Sequence, residues 1–265
     1  MKKLVLIKLG GSLITNKNIP YTPKQEIIFQ LAKEIKKAHL KNLPLVVAHG
    51  SGSFGHTLAS KYKTADGLKK KKDLYGLCLV QQDAIAINRI VNKIFLENEI
   101  PCLSFFPSSF SFAQGKKLKK IFVEPIIEAL KRGIVPLVLG DVIIDKQLGC
   151  CIFSGETTLA NLAFKFLSRG LKVGKIIHCG VTEGVYDEEG KIISKITPGN
   201  FATIKRVLGK SSAPDVTGGM FHKVEESLKM VKMGIDVWII NGQTKGNLYQ
   251  AIVSRPTAGT LITRF

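Results

Sequence analysis

Short apolar runs that stop at a glycine or polar turn and hand over to a segment of helical period recur along this chain, and that alternation leaves few folds open. Leu4–Leu9 ends in Gly10-Gly11, as a buried parallel strand should. Pro23 opens a stretch reaching His39, with apolar residues at Ile27, Ile28, Leu31, Ile35 and Ala38 in helical register. Leu45–Ala48 is a second buried run, and Asp73 to Glu97 returns to helical spacing. Val135–Leu139, Lys175–His178 and Val237–Ile240 repeat the strand signal, with helical patterns before them at Glu124–Lys131, Thr157–Ser168 and Phe221–Met233. So many β-loop-α units imply an α/β protein: a three-layer αβα sandwich around a central, mostly parallel sheet. Ligands of such sheets bind at the carboxyl ends of strands, so the loops after the strands are where chemistry is expected.

Several function classes are disfavoured. The start (Met1, Lys2, Lys3, then Leu4 to Leu9) imitates a signal peptide, but Lys8 interrupts the run and Gly10-Gly11 follow without a small-residue cleavage site. It reads as a first strand, and no apolar stretch reaches the ~18 to 20 residues of a membrane span. The expected location is the cytoplasm, with no membrane partner. The five cysteines (Cys78, Cys102, Cys150, Cys151 and Cys179) are odd in number, lack C-x-x-C spacing and read as reduced core residues. With 39 Lys+Arg against 20 Asp+Glu the formal charge is +19. Such a field attracts phosphates of any kind, nucleic acid included. The lysines are spread along the chain, however. The one dense run, Lys69 to Lys72, has no interleaved aromatics for base stacking and reads as a solvated loop.

Five loops carry the candidate chemistry. Lys8-Leu9-Gly10-Gly11-Ser12 is neither a Walker loop nor a dinucleotide fingerprint, yet two glycines after a strand let backbone N–H groups approach phosphate oxygens. Lys8 is odd in an apolar strand and can point at the anion that the glycines hold. By itself such a turn is weak evidence. His49 to His56 (His-Gly-Ser-Gly-Ser-Phe-Gly-His) forms a second anion cradle with His56 at its far end, at the N-terminus of a helix. A second cradle calls for a second phosphate, while His49 reads as structural. The third loop is Gly140-Asp141, with Asp145 beyond and Ser154-Gly155-Glu156-Thr157 opening the next helix. Ser154 and Thr157 suit a cap there, while the Gly155 N–H suits an anion. The fourth is Thr182 to Asp187. The fifth, Asp215-Val216-Thr217-Gly218-Gly219-Met220, runs into a helix carrying Lys223.

In this order and spacing the five loops resemble the amino acid kinase superfamily and, within it, the isopentenyl phosphate kinases. The resemblance covers nearly the whole chain. Its most specific parts are K-L-G-G-S at 8–12 with Lys17 close behind, H-G-S-G-S-F-G-H at 49–56, and D-V-T-G-G-M with Lys223 at 215–223. It implies one domain over 1–265, with an acceptor-binding part at about 1–170 and a nucleotide-binding part at about 171–265. It implies catalytic roles for Lys8, Lys17, His56, Glu156 and Lys223. ATP would be held by Lys8, Leu9, Gly10, Gly11, Ser12 and Ser51, and by Thr182, Glu183, Tyr186, Gly218, Gly219 and Lys223, with Mg²⁺ bound mainly through ATP. Gly50, Gly55, His56 and Gly155 would surround the acceptor's phosphate. A homodimer is implied as well. Two departures stand out: Glu156 replaces the usual Asp after Ser-Gly, and Gly180 to Tyr186 lacks the first Asp of the usual T-D-V-D-G-V-Y.

The expected reaction is ATP-dependent phosphorylation of a small phosphate monoester, isopentenyl phosphate first and dimethylallyl phosphate or fosfomycin as alternatives. Apolar residues that could line a pocket for the organic tail are Leu74, Leu77, Cys78, Ile85, Ile87 and Ile90, with Leu103, Phe105 and Phe106, though core is their default role. From a different class comes a catalytically silent anion- or nucleic-acid-binding relative, prompted by the charge and by Glu156. The presence of Lys8, Lys17, His56 and Lys223 argues against it.

Overall fold

The computed structural model describes residues 2–208 and 219–265. In chain order its strands are β1 (Leu4–Leu9), β2 (Leu45–His49), β3 (Cys102–Phe105), β4 (Ser111–Gln114), β5 (Lys117–Ile121), β6 (Val135–Leu139), β7 (Asp141–Asp145), β8 (Gly149–Phe153), β9 (Val173–Gly180), β10 (Lys195–Ile196), β11 (Asp236–Asn241) and β12 (Thr260–Ile262). The helices are α1 (Gly11–Ile14), α2 (Gln25–His39), α3 (Gly55–Tyr62), α4 (Lys71–Glu97), α5 (Pro107–Phe110), α6 (Glu124–Lys131), α7 (Gly155–Ser168), α8 (Phe201–Leu208), α9 (Gly219–Lys232) and α10 (Asn247–Val253).

Eight strands form the main sheet in the order β10-β12-β11-β9-β1-β2-β6-β3. The pairings are parallel except for β12, which runs antiparallel to β11. β1 lies at the centre and is buried throughout, so the apolar start of the chain is a core strand. Its alternate residues feed two cores, as a strand covered on both faces must. Val5, Ile7 and Leu9 pack with α2, α4 and α10, while Leu4 and Leu6 pack with α6, α7 and α9. The three-layer αβα sandwich with a mostly parallel central sheet is therefore present.

A second sheet, β5-β4-β7-β8, was not expected from the periodicity. It consists of two hairpins joined by one parallel bridge, Ala113 to Asp145. Asp145 is no part of the cleft: its carboxylate accepts the N–H groups of Gly115, Lys116, Gln147 and Leu148, tying the two turns together. Those bonds hold its pKa far below the usual carboxylate range against the opposing effect of burial. Lys69 to Lys72 are all exposed, and the last two already belong to α4. Four of the cysteines are buried, but Cys78 lies exposed on α4 rather than in the core.

Candidate active site

Two glycine turns meet back to back at the carboxyl ends of β1 and β2. Gly10 donates to the Cys179 carbonyl at 2.8 Å and Gly50 to the Leu9 carbonyl at 3.1 Å. A Cβ on Gly11 would stand 2.7 Å from the Gly52 nitrogen, closer than real side chains approach backbone, so glycine is required there. Gly52 has φ +52° and abuts the Thr15 hydroxyl. That hydroxyl donates to the Gly11 carbonyl at 2.8 Å and accepts from the Ser53 N–H at 2.9 Å, locking the turns to each other.

Beneath them lies His49, fully buried. Asn88 Nδ2 stands 3.0 Å from its Nε2, and the Gly50 carbonyl 3.1 Å from its Nδ1. An amide nitrogen only donates and a carbonyl only accepts, so the neutral ring with its proton on Nδ1 satisfies both. Burial, with Lys8 adding, pushes its pKa down to about 4 although the bond to Gly50 opposes the shift. His49 is structural, as its position suggested.

By strand parity Lys8 points to the face covered by α7, and its ammonium pairs with Glu156 in the first turn of that helix. Burial raises the Glu156 pKa, but the Lys8 ammonium, with His178 and Lys223 adding, outweighs it and holds the carboxyl at about 2. The longer acid in place of the usual Asp therefore still engages Lys8. Ser154 caps α7 by accepting the Thr157 N–H at 3.0 Å.

A cavity of about 270 Å³ opens between these parts and gathers Lys8, Gly11, Ser12, Lys17, Gly50, Ser51, Gly55, His56, Gly155 and Glu156. His56 lies in the first turn of α3 and is exposed, as is Lys17. Gly10 forms the turn behind the cavity, and Leu9 is core. On the far side of Glu156 a larger groove of about 860 Å³ runs between α7 and α9, with Gly219, Lys223 and His178 on its walls. Thr182, Glu183 and Tyr186 line neither space. Glu183 is held by the Asn241 amide at 2.6 Å at the end of β11. Asp215 to Gly218 lie outside the described residues.

Two parts of the arrangement escaped the sequence reading. The apolar wall of the smaller cavity is formed by Ala59, Val80, Ala84, Val142, Ile152 and Phe153. None of the larger residues expected to line a tail pocket is among them. Ile87 is in the core, while Leu74 and Leu103 are half exposed on the outside. The wall uses Val80 and Ala84, one turn apart on α4; Ile87 and Val91 continue the same helical face, and farther along the helix they pack into the core. The second omission is His178, in register beside Lys8 on β9. Its Nδ1 has no hydrogen-bond partner among the described residues. Burial, with Lys223 and Lys8 adding and Glu156 opposing, lowers its pKa to about 3. The signal available was a histidine inside an apolar strand, the same oddity that singled out Lys8.

The comparisons agree with this architecture. The profile of the amino acid kinase family matches residues 3–241. The isopentenyl phosphate kinase of Methanocaldococcus jannaschii is 34% identical over 259 residues, covering 94% of this chain and 95% of the relative. That of Methanothermobacter thermautotrophicus is 29% identical, covering 98% and 99%. A solved isopentenyl phosphate kinase superposes with TM-score 0.82 at 26% identity, covering 98% of this chain and all of the other. The chain belongs to the amino acid kinase family and, within it, to the isopentenyl phosphate kinases.

Proposed function

We propose that this protein transfers the γ-phosphoryl group of ATP to isopentenyl phosphate, giving isopentenyl diphosphate and ADP. One observation carries the choice of acceptor: a single small cavity joins a glycine cradle with His56, Lys8 and Lys17 to a wall of apolar side chains. A short hydrocarbon carrying a phosphate suits both halves.

The acceptor's phosphate has its second pKa near ~6 and is mostly dianionic at neutral pH, so its oxygen attacks the γ-phosphorus without a general base. The bond from that phosphorus to the β-bridging oxygen breaks as the new P–O bond forms. The task left to the protein is to position two polyanions and neutralise their charge. Gly55 and Gly155 would offer N–H groups to the acceptor phosphate, Gly50 would let it approach the backbone closely, and the His56 imidazole would be a further donor. Lys8, Gly10, Gly11, Ser12 and Ser51 would meet the β- and γ-phosphates, Lys17 the group in flight. Lys223 and Gly219 would hold the nucleotide, with Thr182, Glu183 and Tyr186 toward the base. Glu156 keeps Lys8 in place. Both carboxylates at the cavity are engaged, Glu156 with Lys8 and Asp141 with the N–H groups of Ser108 and Val142. Mg²⁺ would therefore arrive on the triphosphate's own oxygens and would neutralise charge there. With ATP as donor we assign the protein to the cytoplasm. We assign it as a homodimer, which light scattering checks.

The test is ADP release with isopentenyl phosphate, dimethylallyl phosphate and fosfomycin, in parent and His56→Ala. The reading expects the highest kcat/KM for isopentenyl phosphate. It also expects a ten- to hundredfold loss in His56→Ala, since a bond to a charged group contributes ~1.5–3 kcal/mol, with little change in the KM for ATP. Preference for fosfomycin, or undiminished acceptor binding by His56→Ala, would overturn it.

A further inference from the structure

Between α1 and α2 the chain makes a strap whose ends are pinned by Thr22 O to Asn16 N and Ile14 O to Lys24 N, both 2.8 Å. This strap carries Lys17 to the mouth of the acceptor cavity. Its near side is tied to the glycine turn, where the Ser53 N–H donates to Thr15 and the Thr22 N–H reaches the Ser53 hydroxyl at 3.4 Å. Its far side is tied by Tyr21, whose hydroxyl donates to Asp83 Oδ2 at 3.0 Å.

Three features set Tyr21 apart from ordinary packing. It is 45% exposed, so its burial contributes little to the core, yet it bonds a carboxylate that is only 8% exposed. Its backbone sits at φ +54°, where a bulky side chain is strained and glycine or asparagine would be easier. Its ring meets Phe54 edge-on at 5.6 Å, just before Gly55 and His56. Asp83 lies on α4 between Val80 and Ala84, both wall residues. One strained side chain thus joins the strap to the His56 turn and to the apolar wall. Lys17 is exposed and has four rotatable bonds, so the placement of its ammonium depends on where the strap is held.

We propose that Tyr21 and Asp83 are positioning residues, a latch that sets Lys17 over the acceptor cavity for phosphoryl transfer. The proposal rests on the kinase reading above. Tyr21→Phe keeps the ring on Phe54 and removes only the hydroxyl. It should lower kcat about tenfold, since small misplacements of a reacting group cost up to ~100-fold, and leave the KM for ATP within about twofold. Asp83→Asn, which keeps an acceptor oxygen, should retain more activity than Asp83→Leu. The decisive measurement is a double-mutant cycle: in a Lys17→Ala background, Tyr21→Phe should cost little further rate. A second full tenfold loss there, or parental kcat in Tyr21→Phe, overturns the latch. Tryptic cleavage after Lys17, followed by mass spectrometry without any acceptor, should quicken several-fold in Tyr21→Phe, and an unchanged rate also overturns it. A parent that is silent toward isopentenyl phosphate would instead defeat the assigned reaction, and the cleavage rate would still judge the latch.

Discussion

An ammonium inside a strand buried over its whole length is costly without a counter-charge, and Lys8 finds one in Glu156. Pairs of this kind add little net stability, because desolvation offsets the attraction. Their mutational signature should be kinetic. Lys8→Ala should lower kcat by ~10² or more with the fold intact, as loss of a preorganised donor does. Glu156→Gln should lower it clearly, whereas Glu156→Asp should keep much of it. Parental turnover in Lys8→Ala, or equal turnover in all three Glu156 forms, would show that the pair does not serve transfer. His49 makes a different prediction, about acid. Its folded pKa of about 4 lies below the ordinary histidine value of 6.5, so below that value the unfolded chain takes a proton that the native ring refuses. The stability it supports is complete above pH 6.5 and is lost as pH falls toward 4. The melting-temperature advantage of the parent over His49→Asn should therefore shrink across that window. An advantage independent of pH would mean that the ring does not stay neutral in the native state. Both residues could be picked out in the sequence, Lys8 as a polar intruder in an apolar run and His49 as the polar residue that ends the next one. Val80 and Ala84 could not, since nothing local distinguishes a small residue lining a cavity from one lining a core.

Helix α10 shows how elements far from the cavity reach the site. Glu34 on α2 accepts the N–H groups of Gly246 and Tyr249 at 2.8 and 2.9 Å, an acid at the positive end of the helix dipole. Lys175 on β9 donates to the Ala251 carbonyl and the Ser254 hydroxyl at 2.8 and 2.7 Å, a cation at the negative end. Within this clamp Asn247 donates to the Asn241 carbonyl at 3.3 Å, and the Asn241 amide in turn holds Glu183. Glu34→Ala removes a charged acceptor of two bonds, which costs ~2 kcal/mol. A protein of this size should then melt roughly 5 °C lower, with the KM for ATP raised through Glu183. A melting point within experimental error of the parent would show that the clamp is not holding the helix. Such long-range caps leave no mark in periodicity, because partners 212 and 215 residues apart are joined only by the fold. The same reason hid the β4-β5 and β7-β8 hairpins. Their strands are short and partly polar, and Lys117, Lys119 and Lys120 look like surface until the second sheet places them. The parallel β-loop-α units were legible because each strand is buried on both faces and reads as one apolar run.

At the scale of the molecule, the expectation is one domain over 1–265, with an acceptor-binding part at about 1–170 and a nucleotide-binding part at about 171–265, and one sheet runs through both parts. β9, the first strand of the second part, pairs along its length with β1, the first strand of the chain, and β1 pairs in turn with β2. The core beneath them is shared: Val5, Ile7 and Leu9 pack with Ile177, Ile240 and Ile252 from the other part. Opening either part would leave β1 with an unpaired edge and expose both cores, so we propose one domain with two binding regions rather than two domains. Cooperative unfolding is the expected consequence. The single tryptophan, Trp238, sits on β11 in the second part and packs against the shared core, whereas far-UV circular dichroism averages over the whole chain. In a urea titration the tryptophan emission and the dichroism should trace one transition with coincident midpoints and equal slopes. Saturating ATP should move both together, because a ligand bound to one region stabilises everything that unfolds with it. A tryptophan transition separated from the dichroism, or shifted alone by ATP, would show that the second part opens while the first stands.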